Sequence, residues 1–266
     1  MPFAKINNIK LYYEESGVGF PLILISGFGA DHAGWDAIFN NLAQHYRVIR
    51  FDNRGAGQSD APDKTYDMET MADDTAALLD YLQIKQAHVC GHSMGTSIAL
   101  SFALKYPQKI NKMVLCHGYP KINTLSTMVF NILDRMIDDE SSPDILGDYI
   151  TPWLYPNATL SNLDNYPEVK ERDNYLKTTK YPQTVVGFKG QLGALLSFNI
   201  DEELRRINVP TLLIAGDKDI LTPMEDSQFL AERISQATLH VMRDVGHMSV
   251  VEKPQEACEI INGFLR

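Results

Sequence analysis

Ser93 stands in the stretch Gly91-His92-Ser93-Met94-Gly95, after the apolar run AHVC and before TSIALSFALK, a run with helical periodicity. A G-x-S-x-G pattern between a strand and a helix presents the serine on a sharp turn, with its oxygen exposed. Gly91 and Gly95 remove side chains that would collide with neighbouring backbone, and the helix N-terminus adds positive dipole character. The chemistry on offer is nucleophilic attack on a carbonyl carbon. The plain alternative is a serine that caps a helix.

A serine hydroxyl is a poor nucleophile at neutral pH and needs a base. The chain has 7 histidines. His88 and His240 fall inside expected strands, His32 follows an early loop and His45 ends a helix. His92 neighbours Ser93 but points elsewhere on a sharp turn, and His117 ends a strand. His247 stands in DVGHMSVVEKP, between the last strand and the last helix, where Gly246 permits a tight bend. Such loops gather at the carboxyl ends of parallel strands, where ligands bind. His247 is therefore the expected base, against a satisfied loop histidine.

The base needs an acid that fixes its tautomer and stabilises the imidazolium. The loop AGDKDILTP offers Asp217 and Asp219, either of which could instead cap the next helix. Asp219 lies deeper in the loop and is preferred for its reach. Negative charge developing on a carbonyl oxygen also needs pre-aimed amides. The Met94 backbone supplies one and the Phe28 backbone the other. Phe28 lies in SGFGAD, where Gly27 and Gly29 let the loop approach; the alternative there is a flexible strand-end turn.

These residues need a scaffold that brings distant loops to one rim. FAKINNIKLYYEES predicts a hairpin about Asn7 and Asn8. PLILISG, YRVIRFD, QAHVCG, INKMVLCHG, VPTLLIAG and ATLHVM read as strands. WDAIFNNLAQ, METMADDTAALLDYLQI, TSIALSFALKYP, EDSQFLAERIS and PQEACEIINGFLR read as helices. This alternation predicts an α/β fold with a mostly parallel central sheet flanked by helices. From about Tyr119 to about Ile200 the alternation stops. MVFNILDRMIDD and TVVGFKGQLGALLSF look helical, and the Pro-, Asn- and aromatic-rich stretch between them has no convincing strand. The expected organisation is a core of residues 1–118 and 201–266 with a helical cap inserted at 119–200.

The 266 residues are 44% hydrophobic and 22% charged, enough for one large domain with an insertion. A formal charge of −10 gives nucleic-acid binding no support. Three cysteines without paired spacing suggest a reducing compartment. MPFAKINNIKLYY has neither a long apolar core nor a cleavage site, and no apolar run approaches a bilayer's width. A cytoplasmic protein without a membrane partner is expected. No H-E-x-x-H, ligand-spaced cysteine cluster or dinucleotide fingerprint occurs, so neither metal nor cofactor is expected.

SGFG, FDNRGAGQSD, GHSMG, PTLLIAGDKDILTP and VGHMSVVEKP together resemble the α/β-hydrolase superfamily over essentially the whole chain. Serine at 93 argues against the aspartate-nucleophile dehalogenases and epoxide hydrolases of that fold. PWLYP and GQLGALLSFNIDEELRRINVPTL resemble the small carboxylesterase and 3-oxoadipate enol-lactonase-like branch. The resemblance implies a triad of Ser93, Asp219 and His247 in the chain order Ser, Asp, His, with oxyanion donors at Phe28 and Met94. Ser26 stands where the family usually has histidine. Asp52 and Arg54 are expected to make structural contacts. The implied activity is hydrolysis of a small carboxylic ester or lactone through an acyl-enzyme. A small-molecule receptor with little turnover, an acyltransferase or a perhydrolase could use the same parts. Trp153, Tyr155, Phe130, Phe188 and Leu192 are candidates to line an apolar pocket, or else form the cap's own core. A substrate carboxylate would need a cation, with Arg135 and Lys189 nearest by segment.

Overall fold

The computed structural model describes residues 3–266, without the side chains of Pro143 and Lys177. Residues 1 and 2 of the expected core lie outside the described residues. Strands β1 (Phe3–Ile6) and β2 (Ile9–Ser16) pair antiparallel, with Ile6 opposite Ile9. The two linking residues, Asn7 and Asn8, have φ of 46° and 62°. A two-residue hairpin turn needs left-handed backbone at both positions, and asparagine is a non-glycine residue that tolerates it.

The chain continues through β3 (Pro21–Ile25), α1 (Asp36–Leu42), β4 (Arg47–Phe51), α2 (Met68–Tyr81), β5 (Ala87–His92), α3 (Met94–Lys105) and β6 (Ile110–Cys116). The eight strands lie in the order β1-β2-β4-β3-β5-β6-β7-β8. β7 spans Thr211–Gly216 and β8 spans Ala237–Met242. β2 is antiparallel to β4, and every pairing from β4 to β8 is parallel. Central strands covered on both faces explain the uninterrupted apolar runs. Side chains alternate across a strand. Ile23 and Ile25 thus join the core packed by α2 and α3, whereas Leu22 and Leu24 join the opposite core with Trp35, Ile38 and Leu42.

Between β6 and β7 lie α4 (Thr124–Asp138), α5 (Pro143–Leu154), α6 (Asn157–Leu160), α7 (Pro167–Thr178) and α8 (Val185–Ser197). An isolated bridge, Lys121 to Asn199, joins the two ends of this segment. α4 and α8 coincide with the two helical patterns in the sequence. α5, α6 and α7 occupy residues whose prolines suggested irregular chain. The prolines at 143 and 167 instead open helices, where the missing N–H costs nothing. Pro152 lies two residues before the end of α5. The remaining helices are α9 (Met224–Arg233), α10 (Ser249–Glu252) and α11 (Pro254–Leu265). No helix among the described residues is long and apolar enough to cross a membrane.

Packing is tight where α3 meets the sheet. A β-carbon at Gly95 would sit 2.1 Å from the Ile25 carbonyl oxygen, and one at Gly91 would sit 2.4 Å from the Gly95 oxygen. Both obstacles are backbone and cannot rotate away. Gly95→Ala should therefore destabilise the protein by about 2–3 kcal/mol. Gly263→Ala, on an exposed face of α11 with nothing within 4 Å, should be neutral or gain up to about 1 kcal/mol. Denaturant melts of the two variants check the contrast.

Candidate active site

Ser93 links β5 to α3 with φ 53° and ψ −120°. A non-glycine residue in such a region carries about 1–3 kcal/mol of strain and persists only when its surroundings enforce it. The enforcing contacts are Ser93 N–H to Cys116 O at 2.9 Å, Thr96 N–H to Ser93 O at 2.8 Å and Thr96 Oγ1 to Ser93 O at 2.6 Å. The side chain is half-buried and faces a cavity.

The loop after β3 passes against this corner. A β-carbon on Gly27 would lie 3.2 Å from Ser93 Cβ. Ser26 Oγ donates to Asp31 O at 3.0 Å, closing the loop, and Asn53 Nδ2 donates to Ser26 O at 2.9 Å. Gly29 N–H donates to Gln191 Oε1 at 3.0 Å, and Gln191 Nε2 donates to Arg54 O at 2.8 Å. The Phe28 ring sits edge-on to Phe130 and Phe188, 5.0 Å from each. Among the described residues, neither the Phe28 nor the Met94 amide donates to a protein oxygen.

Asp219 and His247 meet at the other side of Ser93. His247 Nδ1 lies 2.8 Å from Asp219 Oδ2, both groups are buried, and His247 lines the same cavity as Ser93. No hydrogen bond joins the Ser93 hydroxyl to His247 among the described residues. Such bonds are commonly loose in empty sites and tighten on the reacting substrate. Asp219 Oδ1 accepts the amides of Leu221 and Thr222 at 2.9 and 3.0 Å. Asp219 Oδ2 also takes Thr222 Oγ1 at 2.8 Å and His117 Nδ1 at 2.7 Å. Burial pushes the Asp219 carboxyl up, but the His247 charge and the bonds from His117 and His247 hold it well below the usual carboxylate range. Asp217 sits outside this network, accepting Asp244 N–H at 2.7 Å beside Arg243 and Lys218.

Two further histidines crowd the site. The rings of His92, His117 and His247 lie 5.1–5.4 Å apart. His92 Nε2 is 2.9 Å from the His247 carbonyl oxygen and tethers that loop. Burial drives the His92 pKa well down, and burial also lowers that of His117 despite Asp219. His117, Asp219 and His247 hold possible ligand atoms within 4.8 Å of one another. Both Nδ1 atoms face the same carboxylate oxygen at hydrogen-bond distance, so a cation there would have to displace two imidazole protons.

The cavity, about 320 Å³, suits a small molecule. Phe28, Phe130, Leu133, Ile137, Ile150 and Phe188 give it apolar walls. Of the five pocket candidates, Phe130 and Phe188 line it and three do not. Tyr155 is buried in the core on the Trp35 side of the sheet, Leu192 is buried in the core on the α2 side, and Trp153 packs against that second core. Arg135 is exposed, and Lys189 pairs with Asp134 and Asp138 at 3.5 and 2.7 Å. Among the described residues, Arg172 of α7 is the arginine that lines the cavity, and its Nη1 is buried without a partner. It lies beside the Ser26 loop: a β-carbon on Gly34 would be 3.8 Å from Arg172 Nη1 and 3.9 Å from Ser26 Oγ. The nearby Asp31 carboxylate is occupied by Ala33 N–H and Tyr175 OH.

Asp52 and Arg54 hold loops. Asp52 accepts His32 N–H and Nδ1, both at 2.7 Å, and Gln58 N–H at 2.8 Å. Arg54 grips Asp74 through two bonds of 2.6 and 2.7 Å, both side chains being buried. Sequence reasoning missed His117, Gln191 and Arg172. His117 did carry a signal, its position at the carboxyl end of a strand in the same row as Ser93 and Asp219. Gln191 carried another, a lone amide in the apolar run of α8.

A family model described as alpha/beta hydrolase fold matches residues 21–254. The 3-oxoadipate enol-lactonase 2 of Acinetobacter baylyi is 30% identical over 234 residues, 88% of this chain and 84% of that protein. RutD of Stutzerimonas stutzeri, named as a candidate carbamate hydrolase, is 32% identical over 256 residues, 94% and 95% of the two chains. The enol-lactonase of Burkholderia xenovorans superposes with a TM-score of 0.89 at 25% identity, covering 99% of each chain. A thermophilic esterase of Thermogutta terrifontis gives 0.87 at 27%, covering 99% of this chain and 95% of that one.

Asp226 of α9 lies close enough to feel the Asp219 charge. Burial raises its pKa from 3.8 to about 6, against a bond from Asn123, and its Oδ2 is buried without a partner. An acid whose folded pKa is raised binds its proton more tightly in the native state. Stability is therefore lost as pH rises from about 4 to about 6 and stays lost above that. Asp226→Asn should match the wild type in Tm near pH 4 and exceed it at pH 7. Thermal melts across that range test the sign; a gap already full at pH 4 would contradict it.

Proposed function

The chain belongs to the alpha/beta hydrolase family, and from that membership we propose that it is a serine hydrolase that cleaves a small carboxylic ester or lactone through an acyl-enzyme. The observation that carries this reading is the Asp219–His247 hydrogen bond at the wall of a cavity that Ser93 also lines. The names of the relatives, enol-lactonase, carbamate hydrolase and esterase, share hydrolysis at an acyl carbon.

In this mechanism Ser93 Oγ attacks the carbonyl carbon while His247 Nε2 accepts its proton. Asp219 holds the Nδ1–H tautomer and stabilises the imidazolium. The unpartnered amides of Phe28 and Met94 receive the oxyanion. His247 then gives its proton to the leaving oxygen. Water, activated by the same imidazole, attacks the acyl carbon and releases Ser93. Residues 119–200 act as a cap over a core of 1–118 and 201–266 and choose the substrate. Phe130 and Phe188 hold its apolar part, and Arg172 receives a carboxylate at its far end. A buried guanidinium nitrogen without a hydrogen-bond partner favours an acceptor, and an anionic one most. The substrate class is therefore an ester or lactone that carries a free carboxylate.

Ser93→Ala should lower turnover of p-nitrophenyl butyrate by about 10,000-fold or more, and Asp219→Ala by about 1,000-fold or more. Asp217→Ala, outside the network, should stay near wild type. Full turnover in the Ser93 variant would remove the nucleophile. Arg172→Met should lower the preference for a monoester of a dicarboxylic acid over a neutral ester of equal length by about 10- to 100-fold in kcat/KM. An unchanged ratio would rule out the anion site.

A further inference from the structure

We propose that His117 is a positioning residue of this site, clamping the Asp219 carboxylate in register with His247 and tying the loop of the acid to the loop of the base. The inference rests on the reading of Ser93, Asp219 and His247 given above and adds a fourth side chain to it.

His117 directly follows β6, is 1% exposed and has φ 61°. Its Nδ1 lies 2.7 Å from Asp219 Oδ2, the same oxygen that faces His247 Nδ1. Its Nε2 lies 2.8 Å from Ser249 Oγ and 3.4 Å from Ser249 N, whose amide donates to it. An amide can only donate, so Nε2 is the acceptor and the ring proton sits on Nδ1. The ring is therefore neutral and donates to the acid. Ser249 lies two residues beyond His247. One imidazole thus fixes the end of β6, the β7–α9 loop and the β8–α10 loop relative to one another.

Two consequences follow. The carboxylate cannot rotate away from His247 without losing the His117 bond. An oxygen that already accepts from His117 and Thr222 also has less negative charge to offer an imidazolium beside it. The titratable groups facing the Asp219–His247 pair are His92 from the end of β5, His117 from the end of β6, Asp226 of α9 and Glu252 of α10. Of the four, His117 alone is bonded directly to the carboxylate among the described residues.

A satisfied core histidine would affect stability only; a positioning residue must also move the pH profile. The test is the second-order rate of fluorophosphonate labelling between pH 5 and 9 for wild type, Ser93→Ala, His117→Gly and His117→Asn. Glycine keeps the left-handed backbone and deletes the donor. Asparagine tolerates the same backbone and places its Nδ2 where the imidazole Nδ1 was. His117→Gly should label about 10-fold more slowly at the plateau, with the acid limb moved up by roughly half to one pH unit. His117→Asn should restore both. Labelling of Ser93→Ala at the wild-type rate would end the reading of the site and this role with it. Loss of labelling in Ser93→Ala, with a His117→Gly profile superimposed on wild type or an asparagine variant no better than glycine, overturns the positioning role alone. Should His117→Gly fail to fold, nitrogen-15 chemical shifts of the wild-type histidines decide: His117 as Nδ1–H across this range supports the role, and Nε2–H overturns it.

Discussion

The approach of the α3 backbone to the end of β3 leaves no room for a β-carbon at Gly95, and the turn before it leaves none at Gly91. The backbone between them has to enter a left-handed conformation at a residue that has a side chain. That conformation is what carries the Ser93 hydroxyl off the sheet and into the cavity. The contact that forces the corner also sets its surroundings. Because Gly95 lies against the Ile25 carbonyl, the loop that begins at Ser26 must start beside Ser93, and Phe28 follows on the wall of the same cavity. The strain at residue 93 is offset by the bonds from its N–H to Cys116 and from Thr96 to its carbonyl. The geometry at Ser93 is thus a property of three neighbouring strands and one helix.

A second constraint acts at the same edge. The carboxyl ends of β5, β6, β7 and β8 deliver His92, His117, Asp219 and His247 into one buried cluster. A buried charge is costly unless donors surround it. Asp219 meets that requirement with two amides, a hydroxyl and two imidazoles. Burial lowers the pKa of His92 and of His117, so both surround the Asp219 charge as oriented dipoles. That charge lies 2.8 Å from His247 Nδ1.

The parts of the site visible in the sequence are those encoded locally. Gly91, Ser93 and Gly95 form one short motif, and the loops of Asp219 and His247 each follow a strand with an unambiguous apolar run. Strand ends on a parallel sheet share a rim, so three local patterns predict a meeting. His117 was bypassed because its partners, Asp219 and Ser249, are 102 and 132 residues away and nothing local announces them. Gln191 reaches Gly29 across 162 residues. The pocket candidates divide for a different reason. Tyr155, Leu192 and Trp153 lie in a segment with apolar surroundings on more than one side, so hydrophobicity identifies them as covered without saying by what. Helices α5 to α7 were obscured because a proline that opens a helix and one that interrupts it look alike in sequence.

The helical segment between β6 and β7 does more than wall the cavity. His247 N–H donates to Leu154 O at 2.8 Å, so its loop is held partly by the end of α5. Glu252 accepts Gly246 N–H and Thr159 Oγ1, both at 2.8 Å, which joins α6 to the same loop. At the other end, Gln191 and Gln183 of this segment bind Gly29, Arg54 and Gly55. Both loops that flank Ser93 are therefore aligned by residues of the insertion. Phe130, Phe188 and Arg172 line the cavity and take no part in those bonds, whereas Gln183 and Leu154 line it and also make them. One segment thus both walls the cavity and, through the bonds at Leu154, Thr159, Gln183 and Gln191, holds the loops of His247 and Gly29 in register.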